Sequence, residues 1–287
     1  MKDKVVVVTG GNTGIGKEAV SGLSRLGARV VIACRDVEKG RRAADEVTKE
    51  TGGDIRVFAL DLADFDSVRS CAEALLAAFP RIDVLLLNAG LMLGDRRETR
   101  QGFEATFGIN HLGHFLLTEL LLERMKASAP SRIVVVSSDA HRRAKAGLTW
   151  DDLPRTRRYA GFDVYSESKL ANILFTRELA RRLEGTGVTV NALHPGFVAT
   201  EFGRGGDIKG IVGKLLPLAQ LFARTPVKGA ETSVYLASSP EVEGVTGEYF
   251  VDCRATKPNR AARDDAAARR LWDESERLIA IKSHGVT

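Results

Sequence analysis

Cysteine is scarce in this chain: Cys34, Cys71 and Cys253 are the only three in 287 residues. Their number is odd and no C-x-x-C occurs, which argues against a disulfide framework or a zinc site and for a reducing compartment. No apolar run is long enough to span a bilayer, and no signal-peptide core precedes the first strand pattern. A cytoplasmic protein without a stable membrane anchor is therefore expected. A long basic tract is missing too; Lys and Arg are dispersed, with short clusters such as Arg142-Arg143. The net charge of +5 then suits a small anionic ligand better than a nucleic acid. Internal repeats, low-complexity segments and linkers are absent as well. One domain over residues 1–287 is expected, large enough to bury a core without disulfides or metal.

What is present is an alternation of strand and helix patterns. Strands are expected at Val5–Val8, Arg29–Ala33, Ile55–Leu60, Val84–Leu87, Ile133–Val136 and Val188–Leu193. Helices are expected from Gly16 to about Leu26, from a cap at Asp36 to about Glu50, and from Asp64 to about Phe79. Others should cover about Phe103 to Lys126 and Val164 to Leu183. The strands are short, continuously apolar and rich in Val, Ile and Leu, as strands buried on both faces are. Repeated β-α units predict an α/β fold: a doubly wound parallel sheet of the Rossmann type with helices on both faces. Two stretches break the rhythm, Asp139 to Asp163 and Glu201 to Pro226. Both follow strand C-terminal ends, the ligand side of such a sheet, so they are expected to wall a substrate pocket. The second, at about 201–226, reads as a lid.

Between the first strand and the first helix stands TGGNTGIG, Thr9 to Gly16. A helix N-terminus presents unpaired N–H groups and partial positive charge. An anionic phosphate can meet that backbone where no Cβ intervenes. Gly10 would make the turn, Gly14 would admit a pyrophosphate, and Gly16 would let helix and strand approach. Further on, Tyr165 and Lys169 stand four apart on a helix and share a face. A nearby ammonium favours the phenolate and lowers the tyrosine pKa, so that the phenol can exchange a proton with a carbinol oxygen. The strand ending at Val136 carries Ser137-Ser138, whose hydroxyls alternate between faces.

These motifs, in this order, resemble the short-chain dehydrogenase/reductase family in its short form, over nearly the whole chain. The resemblance implies a catalytic set of Asn110, Ser138, Tyr165 and Lys169. Tyr165 would be the general acid/base. Lys169 would lower its pKa and bind the nicotinamide ribose. Ser138, second of its pair, would orient the carbonyl, and Asn110 would hold a water. Gly10, Asn12, Thr13, Gly14, Ile15 and Gly16 would cradle the cofactor phosphates. Asp61 and Leu62 would contact the adenine, Asn88, Ala89 and Gly90 would follow the fourth strand, and Pro195, Gly196 and Thr200 would surround the nicotinamide. Many relatives carry a second asparagine where Leu87 stands here. At the end of the second strand Cys34 takes the place of the acid that NAD enzymes use, and Arg35 follows. A guanidinium suits a 2′-phosphate, so NADP(H) is expected.

Within the family, NHLGHFLLT, SKLANILFTRELARRL, HPGFVATE and GEYFVDC resemble the retinol dehydrogenase branch and its WW-domain oxidoreductase relatives. That branch implies an oxidoreductase for an apolar alcohol, aldehyde or ketone, retinal-like, lipid-derived or steroid-like. A silent NADP(H)-sensing protein of the same fold is the alternative, but it would not need both Tyr165 and Lys169. An extended-form sugar-nucleotide epimerase has a different glycine spacing. His111 and His114, three apart on a helix, lack a carboxylate to complete a metal set, so no metal is expected. Leu271, Trp272, Ser275, Leu278 and Ile279 form an amphipathic stripe that would dock on the chain's own domain or on a second subunit.

Overall fold

A computed structural model of the chain describes residues 1–197 and 224–281. Its strands are β1 (Val5–Thr9), β2 (Arg29–Cys34), β3 (Ile55–Ala59), β4 (Val84–Leu87), β5 (Ser131–Val136), β6 (Val188–His194), β7 (Tyr249–Val251) and β8 (Arg254–Ala255). They form one sheet in the order β3-β2-β1-β4-β5-β6-β7-β8. All pairs are parallel except β7 with β8. The order reverses between β1 and β4, which opens a crevice beyond their C-terminal ends.

The apolar strands explain the layering, because successive side chains leave the sheet on opposite faces. Val6, Val8, Ile32, Leu86 and Val134 belong to the core under α1 (Gly14–Arg25), α2 (Val37–Thr51) and one later helix. Val7, Val31, Leu85, Leu87 and Val135 belong to the core on the other face. That core lies under α3 (Phe65–Ala78), α4 (Gly113–Ala127) and α5 (Gly161–Arg182). The expected cap at Asp36 is present, accepting from Lys39 N–H, and Asp64 caps α3 in the same way by accepting from Asp66 N–H.

Three features were not expected. A helix α6 (Pro226–Ser238) packs on α1, started by Thr225, whose side chain accepts from Lys228 N–H, and by Pro226 in the first turn. Strands β7 and β8 are too short to show a periodic pattern. The helical stretch at 103–126 is not uniform: a turn at Ala105–Phe107 leads into a π-helical turn at Gly108–Leu112 before α4. The irregular stretch after β5 does exist, with 3₁₀ turns at Asp139–Arg143 and Trp150–Asp152. Of the expected lid only Arg224 to Pro226 falls within the described residues. The last helix, α7 (Asp265–Ile281), lies on α5. Among the described residues no helix is long and apolar enough to cross a membrane.

Candidate active site

At the crevice the ends of β1 and β4 are tied together. Thr9 Oγ1 accepts from the N–H groups of Asn88 and Ala89 at 2.9 and 3.0 Å, and Asn88 Nδ2 donates to Thr9 O at 2.9 Å. Gly10 and Gly14 have φ of +65° and +52°, where a side chain is strained. A Cβ on Gly16 would stand 2.3 Å from Gly10 O and 2.5 Å from Asn88 Nδ2. Helix α1 therefore starts against the strand end. Its N-cap, Thr13, makes no side-chain cap hydrogen bond, and no acid stands in its first turn. The turn from Gly10 through Asn12, Thr13, Gly14 and Ile15 to Gly16 thus faces the crevice with backbone donors left for an anion.

Arg35, just past β2, is exposed and makes no hydrogen bond or ion pair among the described residues. Its neighbour Asp36 is engaged in capping α2. Lys17 is paired with Glu46. Cys34 is buried, donates to Asp36 O at 3.2 Å, and has its thiol pushed up to about 11 by burial and then by Asp36. Asp61 folds back to accept from Ala63 N–H, and Leu62 lies under α4, where a Cβ on Gly113 would stand 2.5 Å from Leu62 O.

The two serines after β5 part company. Ser137 is buried and donates to Lys169 O at 2.7 Å, anchoring α5. Ser138 is half-buried; its hydroxyl accepts from Ala140 N–H at 3.2 Å and hydrogen-bonds the Tyr165 side chain. Lys169 Nζ donates to Val136 O at 3.0 Å, beside Asn172 Nδ2 at 3.2 Å, and lies 5.7 Å from the Tyr165 ring centre. Burial pulls the Lys169 ammonium down to about 8. Tyr165 is half-buried by surface, yet enough protein surrounds its hydroxyl that burial dominates and pushes it up to about 12, with the Ser138 hydrogen bond opposing. A Tyr165 pulled down by Lys169 was the expectation; here the ammonium turns to Val136 O and desolvation of the phenolate wins.

Asn110 is fully buried in the π-helical turn. Its side chain accepts from Leu91 N–H and donates to Leu91 O and Ser168 Oγ, all at 2.9 Å. Gly90 is pinched beside it: a Cβ there would stand 3.2 Å from Lys169 Nζ and 3.3 Å from Asn110 Oδ1. The Asn110 carbonyl faces His114 Nδ1 at 3.2 Å, and His114 Nε2 meets Thr9 Oγ1 at 2.9 Å. Thr9 Oγ1 already accepts two N–H groups, so its proton goes to Nε2, and Nδ1–H donates to Asn110 O; the network assigns this tautomer. The ring is neutral, its pKa held down to about 4 by burial. It joins the glycine turn to the Asn110 turn, a role that two histidines three apart did not announce.

After β6, Gly196 has φ of +85° and is covered by the Arg224 guanidinium, which is paired with Asp252. Pro195 and Gly196 therefore reach the same end of the sheet as Ser138; Thr200 lies outside the described residues. His194 is half-buried, and its Nδ1 has no partner among the described residues. The wall from 139 to 163 is fastened to α5 by Glu167, which accepts from Thr149 N–H and Oγ1–H and pairs with Arg155. Exposed Phe162 stacks near the Tyr165 ring with centres 6.4 Å apart. Among the described residues no group of three His, Cys, Asp or Glu is placed to hold a metal.

Sheet order and glycine turn define a dinucleotide-binding fold, with Ser138, Tyr165 and Lys169 gathered at its mouth. The chain belongs to the short-chain dehydrogenase/reductase family: the family model described as enoyl-(acyl carrier protein) reductase matches residues 10–253. Human retinol dehydrogenase 14 is 48% identical over 296 residues, covering 98% of this chain and 88% of that protein. The crystal structure of an uncharacterized protein from Mycobacterium paratuberculosis has a TM-score of 0.77 at 34% identity, covering 97% of this chain and 94% of that one. A short chain dehydrogenase from Escherichia coli CFT073, complexed with NADPH, has a TM-score of 0.70 at 26% identity, covering 88% and 98%.

Proposed function

We propose that this chain is an NADP(H)-dependent oxidoreductase interconverting an alcohol with its aldehyde or ketone, and that Tyr165 moves the proton. The observation that carries this reading is the convergence of Ser138, Tyr165 and Lys169 beside a glycine turn with no room for a Cβ at Gly16. The residues fit the cofactor. The turn from Gly10 to Gly16 receives the pyrophosphate on backbone N–H groups. Arg35, exposed and unpaired among the described residues, meets the 2′-phosphate. Asp61 and Leu62 flank the adenine. Asn88, Ala89 and Gly90 would form the wall behind the ribose, Lys169 would hold its hydroxyls, and Pro195 and Gly196 would enclose the nicotinamide. The NADPH-bound relative is consistent with this assignment.

When bound, NADP(H) supplies or takes up a hydride. The chain's own residues handle position and proton. Ser138 donates to the substrate oxygen and holds it against Tyr165. A phenol at about 12 is protonated at neutral pH and serves as the acid in reduction. In the oxidative direction it must lose its proton, and the Ser138 hydrogen bond assists that. Asn110 fixes Leu91, and with it the Gly90 wall.

An apolar substrate suits the site. Phe162 and Phe197 are two of the few exposed large apolar side chains among the described residues, and Phe162 lies against the Tyr165 ring. The similarity to a protein named retinol dehydrogenase points the same way, toward retinal-like, lipid-derived or steroid-like compounds. The same reading takes the chain as one domain and places it in the cytoplasm, on its free thiols. The test follows NADPH and NADH oxidation by absorbance with a panel of apolar aldehydes and ketones, retinal included. Wild type should turn over an apolar aldehyde with NADPH. Tyr165→Phe should bind NADPH unchanged and lose about 10²-fold or more in kcat. Equal turnover by the two proteins would remove Tyr165 from the chemistry.

A further inference from the structure

Behind Ser138 stands a side chain that the chemistry above does not use. His141 is fully buried. Its Nδ1 lies 2.7 Å from Ser138 O, which also accepts from the His141 backbone N–H at 3.1 Å. On the other side of the ring, Asn259 N–H points at Nε2 at 3.3 Å, and Asn259 Nδ2 donates to His141 O at 2.9 Å. Asn259 is itself held, its Oδ1 accepting from Ala262 N–H at 2.9 Å. The brace thus ties the segment after β8 to the segment after β5, 118 residues away in sequence.

Its partners permit one protonation state. A carbonyl only accepts, so Nδ1 carries the proton. A backbone N–H only donates, so Nε2 is bare. An imidazolium would set two N–H groups against each other. The groups around the ring agree. Tyr249 of β7 meets it edge-on with centres 5.1 Å apart. Asp139 and Arg142, on its own turn, are paired with each other. Among the described residues His194 of β6 is a further titratable neighbour. Burial pushes the His141 pKa down, in keeping with a neutral ring.

We propose that neutral His141, braced by Asn259, is a positioning residue that sets the Ser138 backbone so that the Ser138 hydroxyl meets Tyr165. This rests on the reading of Tyr165 as the proton-exchanging group. The ring touches neither the glycine turn nor Arg35, so its work is separable from cofactor binding. A loosened Ser138 misplaces the substrate oxygen, and a small misplacement is enough to slow the chemistry. It also weakens the hydrogen bond that opposes the upward push on Tyr165.

The test uses the full chain with NADP(H) and an aldehyde–alcohol pair that the wild type turns over. His141→Leu should lose about tenfold or more in kcat while the NADPH Kd stays within about twofold. The rising limb of the oxidation pH profile, where Tyr165 loses its proton, should move to higher pH in that variant. His141→Asn, which keeps a donor toward Ser138 O, should recover most of kcat and the wild-type limb. A His141→Leu protein with wild-type kcat and limb overturns the proposal. So does a kcat loss with an unmoved limb and no recovery in His141→Asn, which marks fold damage alone. If His141→Leu does not fold, Asn259→Ala carries the test: an upward-shifted limb supports the brace and a wild-type profile rejects it. Tyr165→Phe, run alongside, separates the two readings, because its normal turnover would sink the proton assignment whatever His141 does.

Discussion

At the residue scale, Arg35 is the proposed selector between two nearly identical ligands, NADPH and NADH. It is exposed, Asp36 beside it is occupied as a helix cap, and Lys17 is occupied by Glu46. A guanidinium gains two charge-assisted hydrogen bonds from a phosphate and little from a hydroxyl. Hydrogen bonds to charged groups contribute about 1.5–3 kcal/mol each. Arg35→Asp removes them and adds repulsion, so the ratio of kcat/KM for NADPH over NADH should fall by about 30-fold or more. Steady-state kinetics with both cofactors checks this, and an unchanged ratio would reject Arg35 as the selector. Arg35 could be singled out in the sequence because it follows a strand end directly. The direction of the Tyr165 pKa was not, because it depends on how much protein surrounds the hydroxyl.

Among the elements, the β1–α1 turn is the least forgiving. The neighbours that a Cβ on Gly16 would strike are the Gly10 carbonyl and the Asn88 amide. The carbonyl is backbone and cannot swing aside, and Asn88 is the tie between β1 and β4. Gly16→Ala therefore pushes α1 off the strand end. Overpacking of this kind costs about 1–3 kcal/mol. The variant should melt several degrees below wild type and bind NADPH at least about tenfold more weakly, measured by thermal unfolding and fluorescence titration. Wild-type affinity would mean that helix and strand need not approach so closely. The π-helical turn at Gly108–Leu112 is a second such element, since it carries Asn110, whose carbonyl accepts from His114 Nδ1. A helical hydrophobic pattern reads the same through an α turn and a π turn, which is why the stretch from 103 to 126 looked uniform.

At the scale of the whole molecule, α7 closes the face that α4 and α5 present. Trp272 packs against Phe115 and Phe175 with ring centres 4.9 and 6.0 Å apart, and Arg182 lies over the indole. Ser275 Oγ donates to Leu271 O and accepts from His111 Nε2. The stripe of Leu271, Trp272 and Ser275 is thus spent on the chain's own core. This packing has a pH signature. Burial holds His111 down to about 3 and His114 to about 4, from 6.5 when unfolded. Between those values the unfolded chain binds more protons, so stability rises with pH there and is lost as pH falls below about 6.5. The slope is about 1.4 kcal/mol per pH unit for each histidine. Asp83, lowered by Arg81 and Lys4 against its burial, adds loss of the same sign at lower pH. Melting temperature should drop steadily from pH 7 to 5, and His114→Asn should flatten that drop. A flat profile in wild type would mean that these rings charge without opening the core.

What residue order determined here is local. Strand and helix alternation, the cap at Asp36, the glycine turn and the Tyr165–Lys169 spacing each depend on residues within a few positions of one another. Propensity, periodicity and turn chemistry act over that range, so they can be read along the chain. The tertiary structure alone decided that α7 covers its own domain. It also decided which nitrogen of His114 and of His141 carries the proton. Those outcomes depend on groups far apart in sequence and close in space, such as Asn259 against His141 and Thr9 against His114. Burial and hydrogen-bond direction are properties of that enclosure, and no window of sequence contains it.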